Sequence, residues 1–121
     1  MNDSQTTLAQ LRALANKFRD ERDWRQFHAP KEMAIDLSIE AAEVLEHFRF
    51  KSDDEVAELL KSASKREEIG DELADCLWAL LYLSDEMGID LAGAFGKKLE
   101  KTARKYPVHL SKGKNKKYDE Y

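Results

Sequence analysis

The sequence predicts an all-α protein: a helical bundle of four main helices plus a short connecting helix, completed by oligomerisation. Three observations carry this. Apolar residues recur at three- and four-residue steps along most of the chain. Residues that start and stop helices, Ser, Asp, Pro and Gly, fall between those stretches. Alternating runs of β-branched and aromatic residues are almost absent, and there is no internal repeat.

A first helix begins after Ser4 or Thr6, carries Leu8, Leu11, Leu14 and Phe18 on one stripe, and runs to about Arg22. Asp23 to Ala29 is a loop rich in large rings. Pro30 opens a second helix, where its missing N–H costs nothing, and that helix extends to about Arg49. Its apolar face is Ala34, Leu37, Ala41, Val44, Leu45 and Phe48; another face carries Asp36, Glu40, Glu43 and His47. Ser52 with Glu55 fits a capping box for the short helix, through about Lys61. Ser64-Lys65-Arg66-Glu67 repeats that signature and opens the third main helix, which ends at Gly88. Between Leu73 and Leu83 its apolar residues cover every face, so it is predicted to be buried all round, in part by a second subunit. Asp90 caps a last helix from Leu91 to about Lys105, with Leu91, Phe95, Leu99 and Ala103 inward, and Pro107 stops it. Val108 to Tyr121 is a lysine-rich loop or arm.

With 121 residues the chain is expected to form a single domain, residues 1–121. At 42% hydrophobic and 36% charged residues it reads as soluble and globular. A formal net charge of −4 argues against general nucleic-acid binding. The acids concentrate between Glu32 and Asp75, the lysines after Lys97. The lone cysteine, Cys76, excludes an internal disulfide, fits a reducing compartment and, set in an apolar run, reads as an inert buried thiol. Met-Asn-Asp-Ser-Gln at the start lacks the basic and apolar regions of a signal peptide. The longest apolar run falls short of the roughly 20 residues that span a bilayer. No membrane association and a cytoplasmic location are therefore expected.

The stretch Glu68 to Asp75 sets Glu68, Asp71, Glu72 and Asp75 immediately before the most apolar run of the chain. On a helix such like charges repel by about 0.2–0.5 kcal/mol per pair when exposed, and by more near a core. Glu40-Ala-Ala-Glu43 and Glu72-Leu-Ala-Asp75 are i, i+3 pairs, and two such helices side by side offer four oxygen donors. Hard cations such as Mg²⁺ or Mn²⁺ take oxygen ligands and share their sphere with phosphates, so the pattern points to phosphate ester or anhydride chemistry. A di-iron bundle would need Glu-x-x-His, but Arg25, Val44 and Tyr106 stand three residues before the histidines. No Cys/His grouping has zinc spacing. Trp24, Phe27 and Phe50 flank the acidic helix and offer rings either to stack a base or to close the bundle end. Lys98, Lys101, Arg104 and Lys105 line the last helix, as phosphate contacts or as a solvated face. There is no Gly-rich phosphate loop.

Taken together, Glu21-Arg22-Asp23-Trp24, Gln26-Phe27-His28 with Pro30, Glu40-Ala-Ala-Glu43, Phe50-Lys51-Ser52-Asp53, Asp71 to Asp75, Tyr106 to Ser111 and Lys117-Tyr118 resemble the all-α MazG-like nucleoside triphosphate pyrophosphohydrolases, and most closely their dCTP pyrophosphatase branch. The resemblance implies metal roles for Glu40, Glu43, Glu72 and Asp75 with Mg²⁺ preferred, and a base pocket lined by Trp24. Phe50 stands where the branch often has tryptophan. It further implies a dimer or a dimer-of-dimers tetramer with pockets between subunits. Ala15, Ala79 and Thr102 depart from residues common among the relatives. The expected activity is hydrolysis of a deoxynucleoside triphosphate, favoured as dCTP or modified dCTP, to the monophosphate and pyrophosphate, as nucleotide-pool housecleaning. Glu40 and Glu43 are the candidate bases, and Trp24, Phe50, Lys98 and Lys105 the candidate substrate contacts. The competing readings are a non-catalytic helical interaction module, whose acidic stripes are only solvated surface, and a phosphoribosyl-ATP pyrophosphohydrolase-like enzyme.

Overall fold

The computed structural model describes residues 1–121 and contains helices and turns without strands. The order is α1 (Leu8–Asp20), a 3₁₀ turn (Arg25–Phe27), α2 (Pro30–Glu46), α3 (Asp53–Leu59), α4 (Ala63–Glu86), α5 (Leu91–Lys105), α6 (Val108–Ser111) and a 3₁₀ turn (Tyr118–Glu120). None of the helices is long and apolar enough to cross a membrane. Met1–Gly88 and Ile89–Tyr121 form two compact units.

Local chemistry sets most boundaries of the first unit. Thr7 and Gln10 form a reciprocal capping box at the start of α1. Pro30 occupies the first turn of α2. Ser52 accepts from the Glu55 N–H to cap α3. α4 begins earlier than its second serine signature suggests: Ser62, with extended backbone, is the cap and accepts from the Lys65 N–H, while Ser64 lies inside the first turn. α2 ends at Glu46 rather than near Arg49, and Phe50 beyond it takes a φ of +59°. After the last turn of α4, Gly88 takes a φ of +63°, the left-handed conformation that glycine adopts without a Cβ penalty.

α4 packs against both α1 and α2. Ala15, Met33, Leu81 and Tyr82 form the buried core, flanked by Leu11, Leu77 and Leu83. The Tyr82 hydroxyl donates to the Ala15 carbonyl at 2.8 Å and ties α4 to α1. Arg19, fully buried, reaches Asp85 and Glu86, each at 2.9 Å, and its guanidinium lies 4.5 Å from the centre of the Tyr82 ring. Arg25 joins the same two carboxylates at 3.3 and 3.0 Å.

The predicted apolar face of α2 needs correction. On α2, Leu37 and Val44 are half-buried, as is Phe48 just beyond its end, but Ala34, Ala41 and Leu45 are exposed. The side that is covered carries Met33, Leu37, Val44 and His47 together with Asp36 and Glu40, so apolar and acidic residues share one seam. On α4, Ile69, Ala79, Leu81, Tyr82 and Ser84 are buried within the subunit, while Leu73, Trp78 and Leu80 are exposed on it, the part of the helix surface that the subunit itself does not cover.

In the second unit, Asp90 precedes α5 with extended backbone, but its side chain makes no cap hydrogen bond. Phe95, Leu99 and Ala103, predicted inward, are exposed. The arm is not simply a loop. Pro107 leads into α6, and the Ser111 hydroxyl donates back to the Pro107 carbonyl at 2.8 Å. Tyr118 and Tyr121 set their rings edge-on to Tyr106, with centroids 5.9 and 6.2 Å away. A four-residue helix is too short to show a period, which is why the sequence does not announce it.

Candidate metal centre and adjoining cavity

α2 presents Glu40 and Glu43 from adjacent turns, and α4 presents Glu72 opposite them. One carboxylate oxygen from each lies within 4.8 Å of the others. Glu40 and Glu72 are half-buried and Glu43 is exposed. The Glu40 Oε2 is buried without a hydrogen-bond partner. Burial, then the close approach of the Glu43 carboxylate, then the charges of Glu43, Asp75 and Asp36 push the Glu40 pKa up to about 7. Glu72 is also raised, by the close Glu43 carboxylate, by burial and by the Glu43 charge, against an opposing effect of His47. The basic side chain at the cluster is that His47, whose Nε2 stands 3.7 Å from Glu72 Oε1. Three carboxylates gathered without a lysine or arginine, one with an orphaned buried oxygen, have the donor chemistry a hard divalent cation requires.

Asp75 lies one turn on from Glu72. It is not among the three closely spaced oxygens, but its charge acts on Glu40, and with Glu40 it lines an adjoining cavity of about 300 Å³. The apolar walls are the rings of Phe18, Trp24, Trp78 and Tyr82, with Ala79 between them. Phe18 meets Trp24 and Trp78 edge-on, at 5.9 and 5.2 Å. His28 and Asp36 complete the lining.

The structure thus brings Glu40, Asp75 and Trp24 to one cavity, with Glu43 and Glu72 beside Glu40. Phe50 lies outside it, 91% exposed, with the Arg49 guanidinium 4.7 Å from its ring centre. Lys98 and Lys105 belong to α5 in the second unit and are exposed; the Lys105 ammonium sits 4.7 Å from the Tyr118 ring centre. Phe18, Trp78, Tyr82 and His28 are lining residues that pattern reading did not single out. For two of them a signal exists: Asp75, Trp78 and Tyr82 are spaced i, i+3, i+7, one face of a helix that already carries an acid.

The profile of the MazG-like family matches residues 35–121. The chain belongs to the MazG-like family. Its relatives agree. The dCTP pyrophosphatase 1 of Bos taurus is 38% identical over 115 residues, 95% of this chain and 68% of the relative. That of Homo sapiens is 36% identical over 114 residues, 94% of this chain and 67% of the relative. The chain therefore spans about two thirds of the length of these proteins. A crystal structure of a pyrophosphatase from Archaeoglobus fulgidus DSM 4304 superposes with a TM-score of 0.78 at 38% identity, covering 88% of this chain and 98% of that one. This MazG-like chain is an enzyme, a hydrolase of the pyrophosphatase kind.

Proposed function

We propose that the chain is a divalent-metal-dependent nucleoside triphosphate pyrophosphohydrolase that cleaves between the α and β phosphates, with dCTP or a modified dCTP as the favoured substrate. The observation that carries this is the carboxylate cluster, gathered without lysine or arginine, opening directly beside a ring-walled cavity. Glu40, Glu43, Glu72 and Asp75 would hold the metal, with Mg²⁺ preferred. When bound, such an ion neutralises phosphate oxygens and lowers the pKa of water.

The chain's own residues do the rest. Trp24 and the neighbouring rings bind the base and exclude water from the seam. Rigid presentation of the carboxylates from α2 and α4 orients the polyphosphate for in-line attack. A carboxylate of the cluster, Glu40 or Glu43, takes the proton of the attacking water. The similarity to proteins named dCTP pyrophosphatase supports the choice of base. The exposed Leu73, Trp78 and Leu80 on α4, with Ile35, Ile39 and Leu45 on α2, support a homo-oligomer, dimer or dimer-of-dimers. Sedimentation of the full chain tests it.

The deciding experiment incubates the protein with a panel of deoxynucleoside triphosphates, with and without Mg²⁺, and resolves the products. Monophosphate and pyrophosphate formed only with metal is the expected result. Diphosphate with orthophosphate would overturn the site of cleavage.

A further inference from the structure

Two polar side chains on the cavity wall have no part in gathering the carboxylate cluster. The His28 ring lies 4.9 Å from the Tyr82 ring, tilted 36° to it, and its Nδ1 is buried with no hydrogen-bond partner. Asp36 is half-buried on α2, one turn before Glu40, and near enough for its charge to act on His28. Both line the same cavity as Trp24 and Trp78. Ring walls with a few fixed polar groups are how sites for flat small molecules are built, the rings binding and the polar groups choosing.

We propose that Asp36 and His28 are the specificity-determining pair for the base, selecting one that carries an exocyclic amine beside a ring nitrogen. This rests on the pyrophosphohydrolase reading above. An ionised carboxylate only accepts hydrogen bonds, and an exocyclic amine only donates them. A keto oxygen in the same place would set lone pair against lone pair. A neutral imidazole offers one N–H, which the ring nitrogen accepts. Burial first, then the charge of Arg19, lowers the His28 pKa, with Asp36 opposing, so the ring is neutral at neutral pH. Cytosine and adenine both present this amine-and-nitrogen edge, whereas thymine and uracil present a keto oxygen instead.

The test is kcat/KM of the full chain, at saturating Mg²⁺, for dCTP, dATP, dTTP and dUTP, in the parent and in Asp36→Asn, His28→Gln and His28→Leu. The parent should favour the amino bases. Asp36→Asn adds an N–H₂ that can donate to a keto oxygen, and should move the amino-to-keto ratio by about 10- to 100-fold. The Mg²⁺ requirement should stay unchanged. His28→Gln keeps a donor and should retain part of the preference that His28→Leu loses. Whichever of dCTP and dATP ranks higher upholds the pair and names the base. A uniform fall for all four substrates with the ratio unmoved, or a parent that prefers dTTP and dUTP, would overturn it. A folded parent that cleaves none of the four would instead sink the underlying pyrophosphohydrolase reading, and this pair with it.

Discussion

Near its C-terminus α4 carries Asp85 and Glu86 against Arg19 and Arg25. Nearer its middle it carries Glu72 and Asp75 beside Glu40 and Glu43, with His47 alone as a basic neighbour. The residue types are the same and the helix is the same, yet the acids respond oppositely. Burial works to raise Asp85, but the neighbouring Asn16 amide, the hydrogen bond from Arg25 and the charges of both arginines hold it below its ordinary range. Glu72, on the same helix, has no arginine beside it and is raised by the adjacent Glu43 and by burial, and Glu40, facing it from α2, is pushed up to about 7. The first group completes itself and stabilises the junction of α1 with α4. The second has no internal countercharge of that kind, which is what the proposed metal would supply. Acidity on a helix thus says little about role; the presence or absence of an internal countercharge says much more.

The sharpest way to break this contrast is to make the paired site resemble the unpaired one. Arg19→Met should leave two half-buried carboxylates short of their main partner and cost about 3–5 kcal/mol in denaturant unfolding. A loss below about 1 kcal/mol would show that Arg25 alone suffices. At the other site Glu43→Gln should act in opposite senses on two readouts. Mg²⁺-dependent kcat/KM should fall about 100-fold or more as several kcal/mol of charge stabilisation is lost. Metal-free stability should rise, because a like charge beside Glu40 and Glu72 is gone.

Mg²⁺ itself should stabilise the parent by about 2.7 kcal/mol at 100 times its Kd, seen as a shift in Tm that Glu43→Gln lacks. Dependence on pH should separate the sites again. Glu40, raised in the fold from 4.5 to about 7, favours the folded state fully below pH 4.5. That contribution is lost as pH rises through 7, so stability in a chelator should decline across this window and the decline should flatten with Mg²⁺. Asp85, lowered in the fold from 3.8, contributes above that pH, and its share is lost as pH falls below it. The smallest effect belongs to the ring between the sites: Tyr82→Phe removes the bond to the Ala15 carbonyl and should cost about 0.5–1.5 kcal/mol.

Local signals in the sequence marked what short-range physics decides. Pro30, Ser52 and Gly88 sit where their backbone preferences are used, and the spacing of Glu40 with Glu43 and of Glu72 with Asp75 places each pair on one side of a helix. What escaped was set by partners distant in the chain. Nothing near Arg19 marks it as buried, because its partners Asp85 and Glu86 arrive from α4. Nor does α2 reveal that Glu40 is half-buried while Leu45 is exposed, since that depends on how α4 lies across it. Apolar periodicity located the helices; which of their sides is covered followed from packing.

Trp24 and Trp78 are the two tryptophans of the chain, and both stand on the wall of the cavity beside Asp75 and Glu40. Tryptophan emission, excited where tyrosine does not absorb, is therefore a label already in place, without an attached dye. A nucleotide stacking there should quench it or shift its wavelength directly. Occupancy can thus be followed in real time, and entry of the base timed separately from release of the products.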